Sequence, residues 1–293
     1  AYFQGKKELF EGLAMASLEK EWLEHPIFHM DLNLAHYSKR EVLEHSLSHY
    51  IEGWEDQWGK DERDETISDR FVRVIRRAYE RTGRKVVILV DEYDKPMIHA
   101  LRDQALRAEF RSVLKPFYRV LETMDDYIRF VLITGVTEFG RINVFDDLHQ
   151  MEDITLDDRY AEICGFTEQE IQANLEASLR EFALKQDWNY EKTCHELGHW
   201  YDGYHFSGHS AGVYNPFGFL IVLSHQRIES NWCATGTPSY LVELLKRWDC
   251  NLYDLFHARV HAKGLLDVDL DSPHPIPVIY QSGYLTIKAY DSE

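Results

Sequence analysis

The sequence predicts a three-layer α/β core with a parallel sheet, followed by a mainly helical, lid-like part. The run "VVILV" (residues 86–90) is continuously apolar and β-branched, and a helical stripe separates it from "IRFVLITGV" (128–136), which predicts a second buried strand. Such runs are typical of parallel strands that helices cover on both faces. Strand patterns give way to helical spacing near residue 157, so we predict the core over residues 1–156 and the helical part over 157–293.

The elements of the core alternate between strand and helix. "PIFHMDLN" (26–33) predicts the first strand, and a polar helical stretch follows over about 38–58. The next helix is predicted to end at Gly83, a natural C-cap, and its apolar face consists of Phe71, Val72, Ile75 and Tyr79. Alternation of this kind indicates βαβ units with right-handed crossovers.

After "VVILV" a second amphipathic helix is predicted, with an expected kink at Pro116. Its apolar stripe consists of Leu106, Phe110, Val113, Leu114, Phe117 and Leu121. We expect "IRFVLITGV" to form the next buried strand and "MEDITL" (151–156) to form another.

The second part carries helix-start signals. "TEQE" (167–170) is a capping-box pattern, and "TGTP" (235–238) places a threonine N-cap before a proline at the first helical position. Near the end of the chain, "VIYQSGYLTIK" (278–288) predicts a short strand or hairpin.

Charge and composition narrow the classes of function. Acidic residues outnumber basic ones 50 to 32 among 293 residues, and the net charge is -18. This charge argues against broad contact of this segment with nucleic-acid backbones. The four cysteines form no Cys-x-x-Cys pair, and no apolar run has the length of a membrane span. We therefore expect a cytoplasmic protein with reduced cysteines.

Polar residues follow the predicted strands at the points where they end: Asp31, then Asp91 and Glu92, then residues 134–137. Ligands of parallel sheets bind beyond these carboxyl ends. An apolar strand that ends in Asp-Glu has the Walker B pattern, in which Asp91 would hold Mg²⁺ and Glu92 would orient or deprotonate the attacking water. Acidic residues also follow strands through ordinary turn preference, so the motif alone leaves both interpretations open.

The strand at 128–136 adds candidates for contacts with a nucleotide. Thr137 is the first choice and Thr134 the second for a group that senses the γ-phosphate or its attacking water, and Arg141 could balance phosphate charge. The alternatives are threonines that fill β positions and an arginine that packs at the surface. Residues 1–293 contain no Gly-x-x-x-x-Gly-Lys-Ser/Thr motif, which would cradle the phosphates.

A competing signal is "CHELGHWYDGYHFSG" (194–208), in which His195 and His199 could bind zinc with Glu196 as the base. The longer zinc-protease pattern requires glycine at position 202, where Asp202 stands, and a downstream methionine, which the chain lacks. A zinc hydrolase is therefore an alternative to nucleotide hydrolysis.

Six segments, in this order, resemble the bacterial AAA-ATPase-like domain family. They are "VVILVDEYDKPMI", the stretch from "FVLITGV" to "GFTEQEI", "WYDGYHFSG", "VYNPFGFL", "ATGTPSYLVELLK" and "PIPVIYQSGYLTIK". The resemblance implies a P-loop-NTPase-like core, with Asp91 and Glu92 as the Walker B pair and residues 134–137 at the sensor strand. Glu138 and Gly140 depart from the lysine and serine usual in the family.

The resemblance also implies that the phosphate-binding loop and its strand lie upstream of Ala1, which would leave the 128–136 strand with an unpaired edge. Proteins of this family often carry a PD-(D/E)xK nuclease-like domain after the ATPase domain. We therefore expect the full-length protein to bind ATP and Mg²⁺ and to couple hydrolysis to an effector domain or a homo-oligomer, without a membrane or nucleic-acid partner for this segment. We expect residues 1–293 alone to be inactive. A non-catalytic interaction module on a degenerate nucleotide fold is the other alternative.

Overall fold

The computed structural model describes most of the chain in two compact units. The described residues are 1–61, 66–136, 150–229, 241–242, 245–246, 253, 255, 257–266 and 275–291. The first unit comprises residues 1–150 and 262–272, and the second comprises 151–261 and 273–293. The domain division after residue 156 stays a prediction. None of the helices in the described ranges is both long enough and apolar enough for a membrane span.

The first unit is built on a three-stranded parallel sheet in the order β1-β2-β3. The strands are β1 (Ile27–Asp31), β2 (Val86–Asp91) and β3 (Ile128–Ile133). Asp31 pairs in register with Asp91, and Val90 pairs with Ile133. The predicted parallel sheet is confirmed, and the carboxyl ends of all three strands lie at one edge.

Helices account for most of the remaining regular structure in the described ranges. In chain order they are α1 (Ala14–Leu18), α2 (Arg40–Trp58), α3 (Ile67–Thr82), α4 (Lys95–His99), α5 (Gln104–Thr123), α6 (Glu168–Asn174), α7 (Glu176–Gln186), α8 (Tyr190–Tyr201), α9 (Pro216–His225), α10 (Ala262–Leu266) and α11 (Ile276–Gln281). Short 3-10 turns are formed by Lys7–Phe10, Leu32–Leu34, Asp125–Tyr127 and Asp158–Tyr160.

Local signals fix the ends of the core helices. Thr66 caps α3 by accepting a hydrogen bond from Asp69 N, and Gly83 ends that helix with a left-handed φ of 65°. Asp103 caps α5 in the same way, by accepting from Leu106 N at 2.9 Å. Helix α5 runs through Pro116 as one continuous element. These ends agree with the sequence patterns because they depend on residues that are neighbours along the chain.

The helix layer packs on one face of the sheet. Phe28 of β1 stacks on Trp54 of α2 with ring centroids 4.5 Å apart, and Phe71 of α3 stacks on Phe117 of α5 at 4.8 Å. His29, whose side chain alternates to the opposite face of β1, is exposed. Successive right-handed crossovers that move in one direction across a sheet place their helices on the same face. The third layer predicted from the sequence is therefore not present among the described residues.

Strand β3 differs from its prediction as a buried strand. Phe130 is 41% exposed and Leu132 is 38% exposed, although both lie in a continuously apolar run. The strand stands at the end of the strand order and, among the described residues, pairs only with β2. Phe130 and Leu132 pair in register with Val87 and Leu89, on the same sheet face as His29, opposite the helices, and this uncovered face explains their exposure. The edge of β3 that has no partner strand among the described residues is the one that the family resemblance led us to expect.

The second unit is mainly helical, as predicted. Its core joins Tyr214, which lies before α9, to residues of α6 to α9, namely Ile171, Leu179, Phe182, Leu197, Tyr201, Phe219, Val222 and Leu223. Thr167 and Glu170 form the predicted capping box at the start of α6.

Two strand predictions in this region were wrong. Residues 151–156 form no strand, because their alternation of polar and apolar residues finds no partner strand among the described residues. The strand or hairpin predicted at 278–288 is not formed: residues 278–281 belong to α11, and residues 282–288 are turn and irregular structure. Pro277 lies in the first turn of α11, where its fixed φ suits a helix, and Ile276, Val278, Ile279 and Tyr280 are all buried.

A buried ion pair joins α2 to α3 in the first unit. Arg70 Nε donates to Glu55 Oε1 at 2.8 Å and Arg70 Nη2 donates to Glu55 Oε2 at 2.6 Å, while Glu55 is only 4% exposed. Replacement of Glu55 by alanine leaves a cavity and removes the carboxylate that compensates the positive charge of the Arg70 guanidinium. We expect Glu55→Ala to lower the free energy of unfolding in urea by about 3–5 kcal/mol.

The exposed pair of Arg40 and Glu44, also 2.8 Å apart, provides the matched control. Glu44→Ala should change the unfolding free energy by less than about 1 kcal/mol, because solvent screens the pair. The double variant Glu55→Leu/Arg70→Met should recover most of the stability lost in Glu55→Ala. Equal effects of Glu55→Ala and Glu44→Ala would contradict the assignment.

Candidate functional site

The tips of β2 and β3 are joined by a network centred on Asp91. The Thr134 hydroxyl donates to Asp91 Oδ1, and Glu92 N donates to the same oxygen at 3.1 Å. Backbone bonds continue the pairing beyond the strands: Thr134 N donates to Val90 O at 2.8 Å and Tyr93 N donates to Thr134 O at 3.0 Å. The exposed carboxylate of Asp91 is thereby held in one orientation at the sheet edge.

Glu92 follows in an unusual backbone conformation. Its φ is +54°, in the left-handed region that side chains other than glycine rarely adopt. Its Oε2 atom is buried and has no hydrogen-bond partner among the described residues. Burial raises the pKa of Glu92, the negative charges of Asp94, Asp91 and Asp31 raise it further, and Lys95 opposes them. Unpaired buried carboxylate oxygens are rare, and such strain often marks functional positions.

Asp31 lies at the tip of β1, in register with Asp91. Its Oδ1 accepts a hydrogen bond from Asn33 N at 2.9 Å and so caps the short turn that follows. The Tyr50 hydroxyl donates to Asp31 O at 2.6 Å. The Asp31 carboxylate therefore has a local structural role, although the sequence placed it with the other candidates at the strand ends.

The donor set suits Mg²⁺ better than a transition metal. Asp91 offers an exposed carboxylate oxygen at a rigid strand end, which is the kind of ligand that Mg²⁺ prefers. No three His, Cys, Asp or Glu side chains in the described ranges are grouped to hold a metal ion by themselves. A site of this type would take its remaining ligands from water and phosphate.

The structure brings together some of the predicted site residues and not others. Asp91, Glu92 and Thr134 meet at the sheet edge, whereas Thr137 and Arg141 lie outside the described residues, as do Glu138 and Gly140. Thr134, the second choice for the sensor, contacts the Asp91 carboxylate directly. Sequence analysis missed Asp94, whose position in "VDEYD", one turn after the Walker B pair, was the available signal.

Within the described ranges, the histidines of the zinc-protease pattern are not grouped with further metal-binding side chains. His195 is exposed on α8, its Nδ1 lies 3.7 Å from Glu196 Oε1, and His199 is exposed as well. The ring nitrogen Nδ1 of His205 lies 3.0 Å from Ser210 O in the following loop. The described structure gives the zinc-hydrolase alternative no support.

Comparison with known proteins adds a family match and one distant relative. Residues 1–145 match the AAA-ATPase-like family model, described as a predicted AAA-ATPase. The chain is 30% identical over 285 residues to an uncharacterized protein in the vnfD 5' region of Azotobacter chroococcum mcd 1. The match covers 97% of this chain and 53% of the relative, so the chain spans about half the length of that protein. No solved structure gives a significant match.

Proposed function

Because residues 1–145 belong to the AAA-ATPase-like family, we propose that the natural protein containing this chain binds ATP and hydrolyses it with Mg²⁺. The observation that carries the proposal is that two adjacent carboxylates at the tip of β2, those of Asp91 and Glu92, have different environments. Asp91 is exposed and oriented by Thr134, whereas Glu92 holds a buried oxygen without a partner among the described residues. Two adjacent carboxylates in unlike environments suit two different roles.

Asp91 suits metal binding. The hydrogen bonds from Thr134 and Glu92 N both reach Oδ1, so they fix the carboxylate while its exposed side faces solvent. Mg²⁺, when bound, would neutralise phosphate charge and orient the γ-phosphate. Thr134 would then act by holding the Asp91 carboxylate in place, and not by contacting the nucleotide itself.

Glu92 suits proton transfer. Its pKa is raised mainly by burial, so its carboxylate is a stronger base than a solvated glutamate while it remains ionised. The Glu92 carboxylate would accept a proton from the attacking water, or orient that water by hydrogen bonding. Glu92 directly follows β2, and its left-handed backbone is the kind of strained conformation that clusters at active sites.

We propose that the phosphate cradle comes from residues outside 1–293, since residues 1–293 contain no Gly-x-x-x-x-Gly-Lys-Ser/Thr motif. The unpaired edge of β3 offers backbone groups to an additional parallel strand, and the relative is about twice as long as the matched region. We propose that the strand carrying this loop pairs there, and that hydrolysis is coupled to an appended effector or a homo-oligomer.

The test compares Asp91→Ala with wild type in the natural protein, using ATP binding and turnover with and without Mg²⁺. We expect Asp91→Ala to weaken Mg²⁺-dependent binding at least about tenfold, or about 1.4 kcal/mol, while metal-free binding is unchanged. Asp31→Ala is the matched control, because its carboxylate caps a local turn at the neighbouring strand tip. If both variants behave alike, or if wild type shows no turnover, the proposal is wrong.

A further inference from the structure

Asp94 is a fully buried carboxylate, three residues beyond Asp91, with 0% of its surface exposed. It occupies the N-cap position of α4, where an aspartate ordinarily accepts a hydrogen bond from its own helix. The Asp94 side chain makes no such cap bond. Its Oδ1 instead accepts a hydrogen bond from Val136 N, 42 residues away in sequence, at 3.3 Å. The side chain thus serves the segment after β3 rather than the helix that it begins.

Gly135 brings that segment unusually close to the turn after β2. A Cβ atom at position 135 would lie 2.6 Å from ring atoms of Tyr93 and 2.8 Å from Asp94 Oδ1. Contacts under 3.0 Å essentially never occur for real Cβ atoms, so only glycine permits this approach without movement of the turn. The backbone at Gly135 therefore lies directly against Tyr93 and Asp94.

Three consecutive residues after β3 are thereby tied to the turn after β2, each by a different contact. Thr134 is held by its backbone bonds and its hydroxyl bond to Asp91, Gly135 by close packing, and Val136 by Asp94. Since Thr134 orients Asp91, any shift of Gly135 or Val136 would move the hydroxyl away from Oδ1. A buried charge is retained only where hydrogen bonds compensate for lost hydration, and the bond from Val136 N is one of the contacts that do so for Asp94.

We propose that Asp94 is a positioning residue, whose buried carboxylate fixes the backbone of Gly135 and Val136 and so holds Thr134 against Asp91. This inference rests on the proposed ATPase function, since its catalytic consequence is the alignment of the Asp91–Glu92 pair. Asp94 itself need not touch nucleotide.

The kinetic test uses Asp94→Ala, Asp94→Asn and Gly135→Ala in the natural protein. Misplacement of about 1 Å at a catalytic group can lower a rate about 100-fold, so we expect kcat for ATP to fall about 10- to 100-fold in Asp94→Ala and Gly135→Ala. The KM for ATP should change less than about twofold, because no nucleotide contact is removed. Asp94→Asn retains an acceptor oxygen for Val136 N and should keep kcat within about threefold of wild type.

Asp103→Ala is the matched control, since it removes another carboxylate that accepts a backbone N–H, at the start of α5. Asp103→Ala should lower the stability of α5 without lowering kcat for ATP. If Asp94→Ala folds and keeps the wild-type kcat, or if Asp94→Asn fails to recover the rate lost in Asp94→Ala, the inference is overturned.

Hydrogen exchange at the Val136 amide in residues 1–293 gives a measurement that needs no activity. Exchange should accelerate in Asp94→Ala, remain near wild type in Asp94→Asn, and be unaffected by Asp103→Ala. Unchanged exchange in Asp94→Ala would refute the contact itself. If wild type hydrolyses no ATP, the proposed function fails and the catalytic part of this inference fails with it, while exchange still decides whether Asp94 holds Val136. If Asp94→Ala does not fold, Asp94→Asn and Gly135→Ala decide the kinetic test.

Discussion

Replacement of Glu92 by glutamine in the natural protein is expected to lower ATP turnover about 100- to 10,000-fold, the range that a positioned general base contributes. The amide keeps the shape of the side chain but cannot accept a proton from water. Binding of Mg²⁺ and ATP should persist, because the adjacent Asp91 carboxylate and its bond from Thr134 are untouched. Steady-state turnover and equilibrium binding of ATP, measured on the same preparation, separate the two effects.

Glu109→Gln is the control, because it makes the same chemical change on the exposed side of α5. Glu109 takes no part in the network around Asp91. It should leave turnover unchanged. A Glu92→Gln variant that hydrolyses ATP at the wild-type rate would show that Glu92 is not the catalytic carboxylate. A variant that loses ATP binding as well would instead assign Glu92 to the binding of metal or nucleotide.

Residues 1–293 alone are expected to show no saturable ATP binding at micromolar nucleotide. The described part of the chain offers one exposed carboxylate for Mg²⁺, and its sequence contains no glycine-rich loop with a lysine for the β- and γ-phosphates. Backbone donors and that lysine supply most of the attraction for the triphosphate in nucleotide-binding loops. We expect a loss of at least about 100-fold in affinity relative to the natural protein, or about 2.8 kcal/mol.

Titration calorimetry with Mg-ATP on the two proteins measures this difference. The control is Asp91→Ala in residues 1–293, which should bind no more weakly than the unchanged segment if that segment has no nucleotide site. Tight, saturable binding by residues 1–293 that Asp91→Ala abolishes would mean that another part of this chain cradles the phosphates.

The core of the fold could be predicted because its signals are local. The apolar β-branched run that becomes β2, the helical stretch that becomes α2, and the left-handed cap at Gly83 all depend on residues within one or two turns of each other. The Walker B pair was found for the same reason, since Asp91 and Glu92 directly follow a strand. Their places at the sheet edge then follow from the parallel arrangement of the strands.

Predictions that depended on distant partners were less successful. "MEDITL" alternates as a strand would, yet in the described structure no neighbouring strand pairs with it. Residues 278–288 resemble a strand in composition, but Val278, Ile279 and Tyr280 are buried in the short helix α11 instead. Helix and strand propensities differ by about 1 kcal/mol or less per residue, so packing and pairing decide such segments.

The sequence by itself determined which residues end the strands, and hence that Asp91, Glu92 and Thr134 share one edge of a parallel sheet. Only the tertiary structure decided which of them touch, that the helices α2, α3 and α5 pack on a single face, and that β3 is exposed at the sheet edge. It also assigned a task to Asp94, which the sequence left as an unremarkable acidic residue. The physical reason is the separation of the partners along the chain. Capping and periodicity act between chain neighbours, whereas Val136 and Asp94 are 42 positions apart, and their bond forms only after the chain between them has folded.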